Sequence, residues 1–282
     1  MRSLVEKAEV AEARDDHAEA FALWMQILGT EKSARAYAHL ALAARELKKW
    51  DVAEEALWSA LSIDSHSALL MESMGNLWAT RTDKDDRAAS ETAKDWYIKS
   101  LSIEKTAPVL NQLGVTRSAL GDPSGAKKAF EEAISIDPNY EESLYNLAEN
   151  VKSSEPERAI QLLERAVRID PRYLEAHRTL GLLREKGGEL QEAEKHFREC
   201  LEICPTDYFS LLFAANLQAV CSKNDEAEKL FSTVINLYPT MGKAFEFYAN
   251  FLDSLGEHER AKAIRSRSSN GASQGITNGS PA

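Results

Sequence analysis

Alanine recurs in this chain at nearly constant intervals, and this periodicity constrains the fold more than any other feature. Successive members of the alanine column are separated by 33, 40, 33, 33, 34, 34 and 34 residues. A large apolar residue follows seven of the eight alanines at a distance of four residues. The column consists of Ala20, Ala53, Ala93, Ala126, Ala159, Ala193, Ala227 and Ala261. A fixed period of this length predicts an array of stacked structural units.

A second column, which lies about twelve residues before the first in most units, holds only glycine and alanine. Its members are Ala8, Ala41, Gly75, Gly114, Ala148, Gly181, Ala215 and Ala249. Apolar residues recur at helical spacing around both columns, as in 110–117 and 126–134. Turn residues such as Gly121-Asp122-Pro123 separate the two halves of a unit. Each unit is therefore predicted to hold two helices that approach closely where their side chains are small.

This pattern resembles that of the tetratricopeptide repeat family. The resemblance is carried by Leu180-Gly181 in a first helix, Ala193 and Phe197 in a second helix, and the closing Pro205. It implies an all-α fold, an α-solenoid that forms a right-handed superhelix of about eight helix-turn-helix repeats, with the first helices lining a concave groove. The predicted repeats are 1–33, 34–67, 68–106, 107–140, 141–173, 174–207, 208–241 and, as a C-terminal cap, 242–267.

Two segments depart from the period. About six extra residues lie near 81–92, and they predict either a protruding loop or a longer following helix with Asp85 or Asp86 as its N-cap. Residues 268–282 carry no charge and one large apolar side chain, Ile276, so they are predicted to form a disordered tail. The repeats and the tail account for all 282 residues, so we expect no second domain among them.

The overall composition excludes several classes of protein. Asp and Glu number 45 against 34 Lys and Arg, and the resulting charge of −11 argues against a nucleic-acid partner. The longest nearly apolar stretch, 208–221, is 14 residues, short of the roughly 20 that a membrane span needs. The first ten residues contain four charges and lack the apolar core of a secretory signal. With only three cysteines, the chain is predicted to be cytoplasmic.

No catalytic, cofactor or metal site is predicted. The motifs of phosphate-binding loops, serine hydrolases and zinc proteases are absent, and the nearest phosphate-loop match, 121–127, has the wrong spacing. His196, Cys200 and Cys204 follow a spacing of four residues on one helix and could be drawn as metal ligands. Cys200, however, occupies a position that holds small or aliphatic residues in other repeats, so it is predicted to be a buried core residue.

The side chains one turn away from the packing stripe of each first helix are predicted to line the groove. They are acidic in the early and middle repeats and become aromatic in the seventh and eighth. The predicted groove residues are Asn111, Glu142, Tyr145, Asn146, Glu149, Glu175, Arg178, Phe209, Leu212, Phe213, Asn216, Phe247 and Asn250. This gradient predicts a protein or peptide partner with basic residues and an apolar anchor that docks near Phe209 and Phe213. The same phenylalanines could instead pack between repeats.

The sequence therefore predicts a non-enzymatic adaptor or scaffold that binds a protein segment in its groove. Two alternatives stay open at this point. The chain could be a structural subunit that self-associates or joins a larger complex through its apolar last repeats. It could also be an accessory, substrate-recruiting subunit of an enzyme encoded elsewhere.

Overall fold

Sixteen α-helices joined by short turns make up the part of the chain that the computed structural model describes, residues 3–274. Contacts within the chain divide it into two units, the first ending at Val151 and the second beginning at Lys152. The first unit contains α1 (Leu4–Glu12), α2 (His17–Leu28), α3 (Ala34–Glu46), α4 (Trp50–Ile63), α5 (Ala68–Thr80), α6 (Asp86–Ile103), α7 (Ala107–Ala119), α8 (Pro123–Ile136) and α9 (Glu141–Val151). The second contains α10 (Pro156–Ile169), α11 (Leu174–Lys186), α12 (Leu190–Ile203), α13 (Tyr208–Val220), α14 (Asn224–Leu237), α15 (Gly242–Ser254) and α16 (His258–Gln274).

Each predicted repeat holds two consecutive helices, which confirms the all-α class and the number of about eight repeats. We call the odd-numbered helices first helices and the even-numbered ones second helices. First helices of neighbouring repeats also contact one another within each unit. For example, α7 contacts α9 in the first unit, and α11 contacts α13 in the second. In the second unit α11 contacts α13 and α13 contacts α15, so these first helices form one continuous face. None of the helices within residues 3–274 has the length and apolarity needed to cross a membrane.

Many helices begin at a side chain that accepts a hydrogen bond from the backbone of their first turn. Ser3 and Glu6 form a complete capping box at α1, while Asp122 caps α8 and is followed by a proline in its first turn. These caps satisfy backbone N–H groups that have no partner inside the helix. Local sequence therefore determines where these helices start.

The turn inside a repeat depends on one residue in the left-handed region of backbone space. This residue lies seven positions after the small column in six of the repeats. The six are Asp15, Lys48 and Ser222, with φ of 56° to 58°, and Gly121, Gly188 and Gly256, with φ of 80° to 81°. Glycine adopts this conformation without strain, whereas a side chain makes it costly. The repeated conformation returns the second helix antiparallel to the first.

The two helices of a repeat meet where a residue of the small column lies under a bulky residue of the second helix. Gly75 contacts the ring of Tyr97, Gly114 that of Phe130, and Gly181 that of Phe197. A Cβ atom at any of these three glycines would lie within 3.0 Å of the ring. The predicted close approach of the helices is therefore built on direct contact between backbone and aromatic ring.

The insertion at 81–92 lengthens α6 to 18 residues and Asp85 is the N-cap of that helix, accepting a hydrogen bond from the backbone of Ala88. Arg81, the first residue of the insertion, is buried and donates hydrogen bonds to Asp51, Glu54 and Asp83 at 2.6 to 3.0 Å.

The guanidinium of Arg81 also lies over the ring of Trp78, 4.7 Å from its centroid. Hydrogen bonding to Asp83 raises the pKa of Arg81 further above its usual value. The insertion is thus anchored to the second repeat by one buried cation.

Helix α16 ends at Gln274, so residues 268–274, the start of the predicted disordered tail, are helical. The prediction was wrong for this segment, because the helix of the last repeat continues through a polar sequence. The rest of the predicted tail, 275–282, lies outside the described residues.

We expect Gly114→Ala to lower the free energy of unfolding by about 1–2 kcal/mol, measured by urea denaturation. Overpacking against Phe130 costs more than the roughly 1 kcal/mol by which alanine favours a helix. Gly187→Ala is the control, because a Cβ atom there would meet its nearest neighbour at an ordinary 3.4 Å. Equal effects of the two substitutions would show that the contact with the ring is unimportant.

Arg81→Met is expected to destabilise the protein by about 2 kcal/mol, because hydrogen bonds between a guanidinium and carboxylates are lost. Hydrogen exchange of the backbone between 82 and 92 should speed up, since this segment loses its anchor. Lys84→Met serves as the control, because Lys84 is half-exposed and lies 3.9 Å from Asp83. Unchanged exchange in the Arg81 variant would contradict the anchoring role.

Candidate functional site

Two phenylalanines of α13 form the centre of an aromatic surface on the first helices of the second unit. Phe209 is 51% exposed, and its ring stacks on that of Phe213 with 6.2 Å between centroids. Phe213 in turn packs against the buried ring of Phe197 at 6.0 Å. The exposed ring is therefore continuous with the core, which holds it in a fixed position.

The start of α13 orients a cation next to this aromatic pair. Asp207 caps the helix, accepting hydrogen bonds from the backbone N–H and the hydroxyl of Ser210, both at 2.7 Å. The same carboxylate accepts a hydrogen bond from Arg178 of α11 at 3.2 Å. The guanidinium of Arg178 then lies 5.3 Å from the ring centroid of Phe209. One residue thus caps the helix and positions Arg178.

Two tyrosines that the sequence did not single out extend the aromatic surface. The ring of Tyr208 packs edge-on against that of Phe209, with 5.1 Å between centroids. It also packs edge-on against the ring of Tyr238, with 5.3 Å between centroids. The hydroxyl of Tyr238 donates to the backbone carbonyl of Thr206. Tyr208 precedes the predicted stripe by one residue, and Tyr238 follows the end of α14, so helical spacing gave no signal for either.

Leu212 was predicted to line the groove, but it is 4% exposed and packs in the core of the last two repeats with Phe231 and Phe245. The prediction was wrong because α15 covers the face of α13 on which this side chain lies. Asn216 of α13 and Glu175 of α11 are half-buried.

The eighth repeat contributes Phe247, which is 38% exposed, and the exposed Asn250, both on α15. The side-chain oxygen of Asn250 accepts a hydrogen bond from Arg265 of α16 at 2.9 Å. Arg265 also bonds Asp253, at 2.7 Å. The cation that replaces the aromatic residue in this last repeat therefore holds a predicted groove residue.

In the first unit, Asn111 was predicted to face the groove, but it is 3% exposed. Its side-chain oxygen accepts hydrogen bonds from Ser143 at 3.1 Å and from Asn146 at 2.9 Å. The prediction was wrong because a buried amide needs polar partners, and α9 supplies them. Asn111 therefore links α7 to α9.

The remaining predicted residues of the first unit lie on α9. Glu142 is exposed and accepts a hydrogen bond from the hydroxyl of Tyr140. The pKa of Tyr140 is raised, chiefly by burial and secondly by this hydrogen bond to Glu142. Tyr145 and Glu149 are half-buried.

A cavity of about 520 Å³ with both polar and apolar walls opens among helices α3 to α7, and sequence reasoning missed it. Its walls include Arg45, Asn76, Thr80 and Gln112, together with the hydroxyl-bearing ring of Tyr97. The Tyr97 hydroxyl donates to the side-chain oxygen of Asn76 at 2.8 Å. Burial raises the pKa of this tyrosine. No spacing rule identifies such a cavity, because it depends on which side chains leave space unfilled.

The three residues that could be drawn as metal ligands do not come together. Cys200 is fully buried, and its thiol donates to the backbone carbonyl of Leu174 at 3.6 Å. Burial raises the pKa of this thiol to about 11. Cys204 lies beyond the end of α12, while His196 faces His177. Among the described residues, no group of three or more His, Cys, Asp or Glu is arranged to hold a metal ion.

The histidine pair joins the two helices of the sixth repeat. The Nδ1 atoms of His177 and His196 are 3.1 Å apart, and Nε2 of His177 lies 3.1 Å from the carbonyl of Pro171. Nε2 of His177 donates to this carbonyl, because a carbonyl oxygen only accepts, and the two Nδ1 atoms share one hydrogen bond. The pKa of His196 is lowered to about 4, chiefly by burial and secondly by the neighbouring His177.

Sequence comparison gives the same result as the architecture. Two family models described as tetratricopeptide repeat match residues 107–140 and 151–208. No curated protein sequence gives a significant match.

Solved structures are similar over most of the chain. Pseudomonas aeruginosa pilF has a TM-score of 0.67 at 21% identity, with 78% of this chain and 97% of that chain covered. The C-terminal part of a TPR repeat-containing protein from Cytophaga hutchinsonii has a TM-score of 0.63 at 15% identity, with 87% and 99% covered.

YrrB, described as a TPR protein with an unusual peptide-binding site, has a TM-score of 0.50 at 17% identity, with 67% and 95% covered. The stacked helix pairs define the class of α-solenoid proteins. Within that class, the chain belongs to the tetratricopeptide repeat family. Repeats of this kind serve in general as modules for binding other proteins.

Stability should fall as the pH is lowered from 7 to 5, in part because of His196. The unfolded histidine takes up a proton near pH 6.5, whereas the folded one stays neutral until about pH 4. The unfolded state therefore binds more protons across this window, and the free energy of unfolding decreases with falling pH.

Urea denaturation at both pH values measures the effect. His196→Asn keeps a donor near His177 but cannot titrate, so the loss between pH 7 and 5 should shrink in this variant. His66→Asn, at an exposed position, should leave the loss unchanged. A loss of the same size in the His196 variant would refute the assignment.

Proposed function

We propose that the protein is a non-enzymatic adaptor that binds a peptide or protein segment along its first helices. The observation that carries this proposal is the aromatic pair of α13, in which Phe209 is exposed and a cation is held beside its ring. Large exposed apolar rings cost solvation energy and commonly mark protein-binding surfaces. Rigid aromatic anchors of this kind supply much of the affinity at such surfaces.

The anchor of the partner is proposed to be an apolar or aromatic side chain that packs on Phe209 and Phe213. Arg178 is paired with Asp207, so the cation next to the rings is already balanced. An uncharged anchor therefore avoids burying a charge without a partner. The side-chain amides of Asn216 and Asn250 are proposed to bond the backbone of the segment.

Basic residues of the partner are proposed to meet the acidic side chains of the first helices, among them Glu142, Glu149 and Glu175. The formal charge of −11 supports an overall attraction for a basic segment. Such attraction speeds encounter and selects among partners more than it raises affinity. The three cysteines are unpaired, which supports a reducing compartment such as the cytoplasm.

Replacing Phe209 and Phe213 with alanine is expected to weaken peptide binding at least tenfold, because the anchor loses both rings. A displayed library of random peptides, selected on the wild-type chain, supplies the probes. We expect enrichment of peptides with one aromatic or branched apolar residue flanked by lysine or arginine. Titration calorimetry of the enriched peptides then gives the affinities.

Val220→Ala is the matched control, because Val220 is 59% exposed on the same helix and no part of the aromatic surface. Circular dichroism shows whether each variant is folded. Equal affinity of the folded double variant would contradict the anchor, and failure to enrich any peptide would contradict the adaptor role. Light scattering over a dilution series tests the alternative of self-association, in which the mass rises with concentration.

A further inference from the structure

A second surface feature lies between α12, α13 and α14, on the core residue Phe197 that also supports Phe213. It is an open, mainly apolar cavity of about 160 Å³. Its walls include Phe197, Leu201, Leu217 and Leu230. Cavities of about 150 Å³ with such walls are large enough to hold a benzene ring. Neither Phe209 nor the half-buried Phe213 is among its walls.

The first cause of the cavity is Ala214, which stands directly before the small column. The equivalent residues of six other repeats are large and buried. They are Leu40, Met74, Leu113, Leu147, Leu180 and Tyr248. Ala214 is 6% exposed and lines the cavity. The seventh repeat therefore lacks the side chain that would otherwise fill this space.

The second cause is Gln218, three residues after the small column. Its amide nitrogen donates to Glu194 at 3.2 Å, so the side chain lies toward the carboxylate. Because a carboxylate only accepts, this bond fixes which end of the amide is the oxygen. That oxygen is buried and has no hydrogen-bond partner in the protein. An unfilled space and an unpaired polar atom both lower stability, and such local costs are typical of functional sites.

The third repeat shows what can fill the corresponding space. At the position equivalent to Gln218 it carries Trp78, and at the position equivalent to Ala214 it carries Met74. Trp78 packs against a core cluster that includes Leu57, Leu61 and Leu77. These leucines occupy the repeat positions of Phe197, Leu201 and Leu217. An indole ring therefore suits the walls that these positions form.

We propose that the cavity between α12, α13 and α14 receives the indole ring of a tryptophan that belongs to a protein partner. All five tryptophans of the chain lie between Trp24 and Trp96, so the second unit has none of its own to fill it. The rim carries Arg198, whose side chain is 65% exposed, and the ion pair of Glu194 with Lys223. These charged groups can bond the backbone on either side of the inserted residue. Phe209 is not part of this site, although Phe197 joins the cavity wall to Phe213 of the proposed anchor.

N-acetyl-L-tryptophanamide is the probe, because it presents the indole on a backbone without terminal charges. Carbon-13 labelled leucine methyl groups report its position by NMR. We expect shifts at Leu201, Leu217 and Leu230, and none with N-acetyl-L-leucinamide at the same concentration. Phe209→Ala should leave these shifts unchanged.

Two variants fill the space from different sides. Ala214→Leu restores the residue type of the other repeats, and Gln218→Trp copies the third repeat. Each is expected to raise the midpoint of thermal unfolding and to weaken binding of the probe at least tenfold. If one variant does not fold, the proposal is tested by the other variant and by the map of chemical-shift changes on the wild-type chain.

Three results would overturn the proposal. The first is a map of shifts that omits Leu217 and Leu230. The second is undiminished binding by a folded variant with the space filled. The third is binding of free indole without binding of N-acetyl-L-tryptophanamide, because a cavity that rejects the backbone cannot accept a side chain from a protein.

Discussion

The contact between a small residue of each first helix and a bulky residue of its partner helix is the constraint on which the fold depends. At Gly75, Gly114 and Gly181 the aromatic ring lies where a Cβ atom would be, so a side chain there would push the two helices apart. The pairing of a small with a bulky position recurs about every 34 residues, in seven of the eight repeats. A turn residue with positive φ brings the second helix back over the first, and this makes the contact between the two helices possible.

Contacts in such an array are local, so one repeat can depart from the pattern without disturbing distant ones. The third repeat has lengthened α6 and anchored its extra residues with Arg81. The seventh repeat has lost volume at Ala214 and Gln218 and gained a cavity. Both changes are absorbed by neighbouring helices. A repeat protein can thus acquire separate features at separate positions while its framework is preserved.

The candidate anchor site shows how a framework residue also serves a surface. Asp207 begins α13 as its N-cap, and the same carboxylate holds Arg178 beside the ring of Phe209. Phe213 stacks on the exposed ring and is itself fixed by the buried ring of Phe197. The geometry of the surface therefore depends on the same groups that start and pack the helix. Such coupling keeps the exposed ring in place before any partner arrives.

The sequence by itself determined the helical class, the number of about eight repeats and the small-to-bulky contact, because each depends on residues close together in the chain. Most of the predicted groove positions are at least partly exposed, since helical spacing also separates the two faces of a helix. Burial of Asn111 was decided by Ser143 and Asn146, which lie more than 30 residues later. Burial of Leu212, the pairing of the two histidines and the cavity beside Gln218 likewise depend on neighbouring helices. Helical periodicity records which way a side chain faces, whereas only packed neighbours decide whether that face is covered.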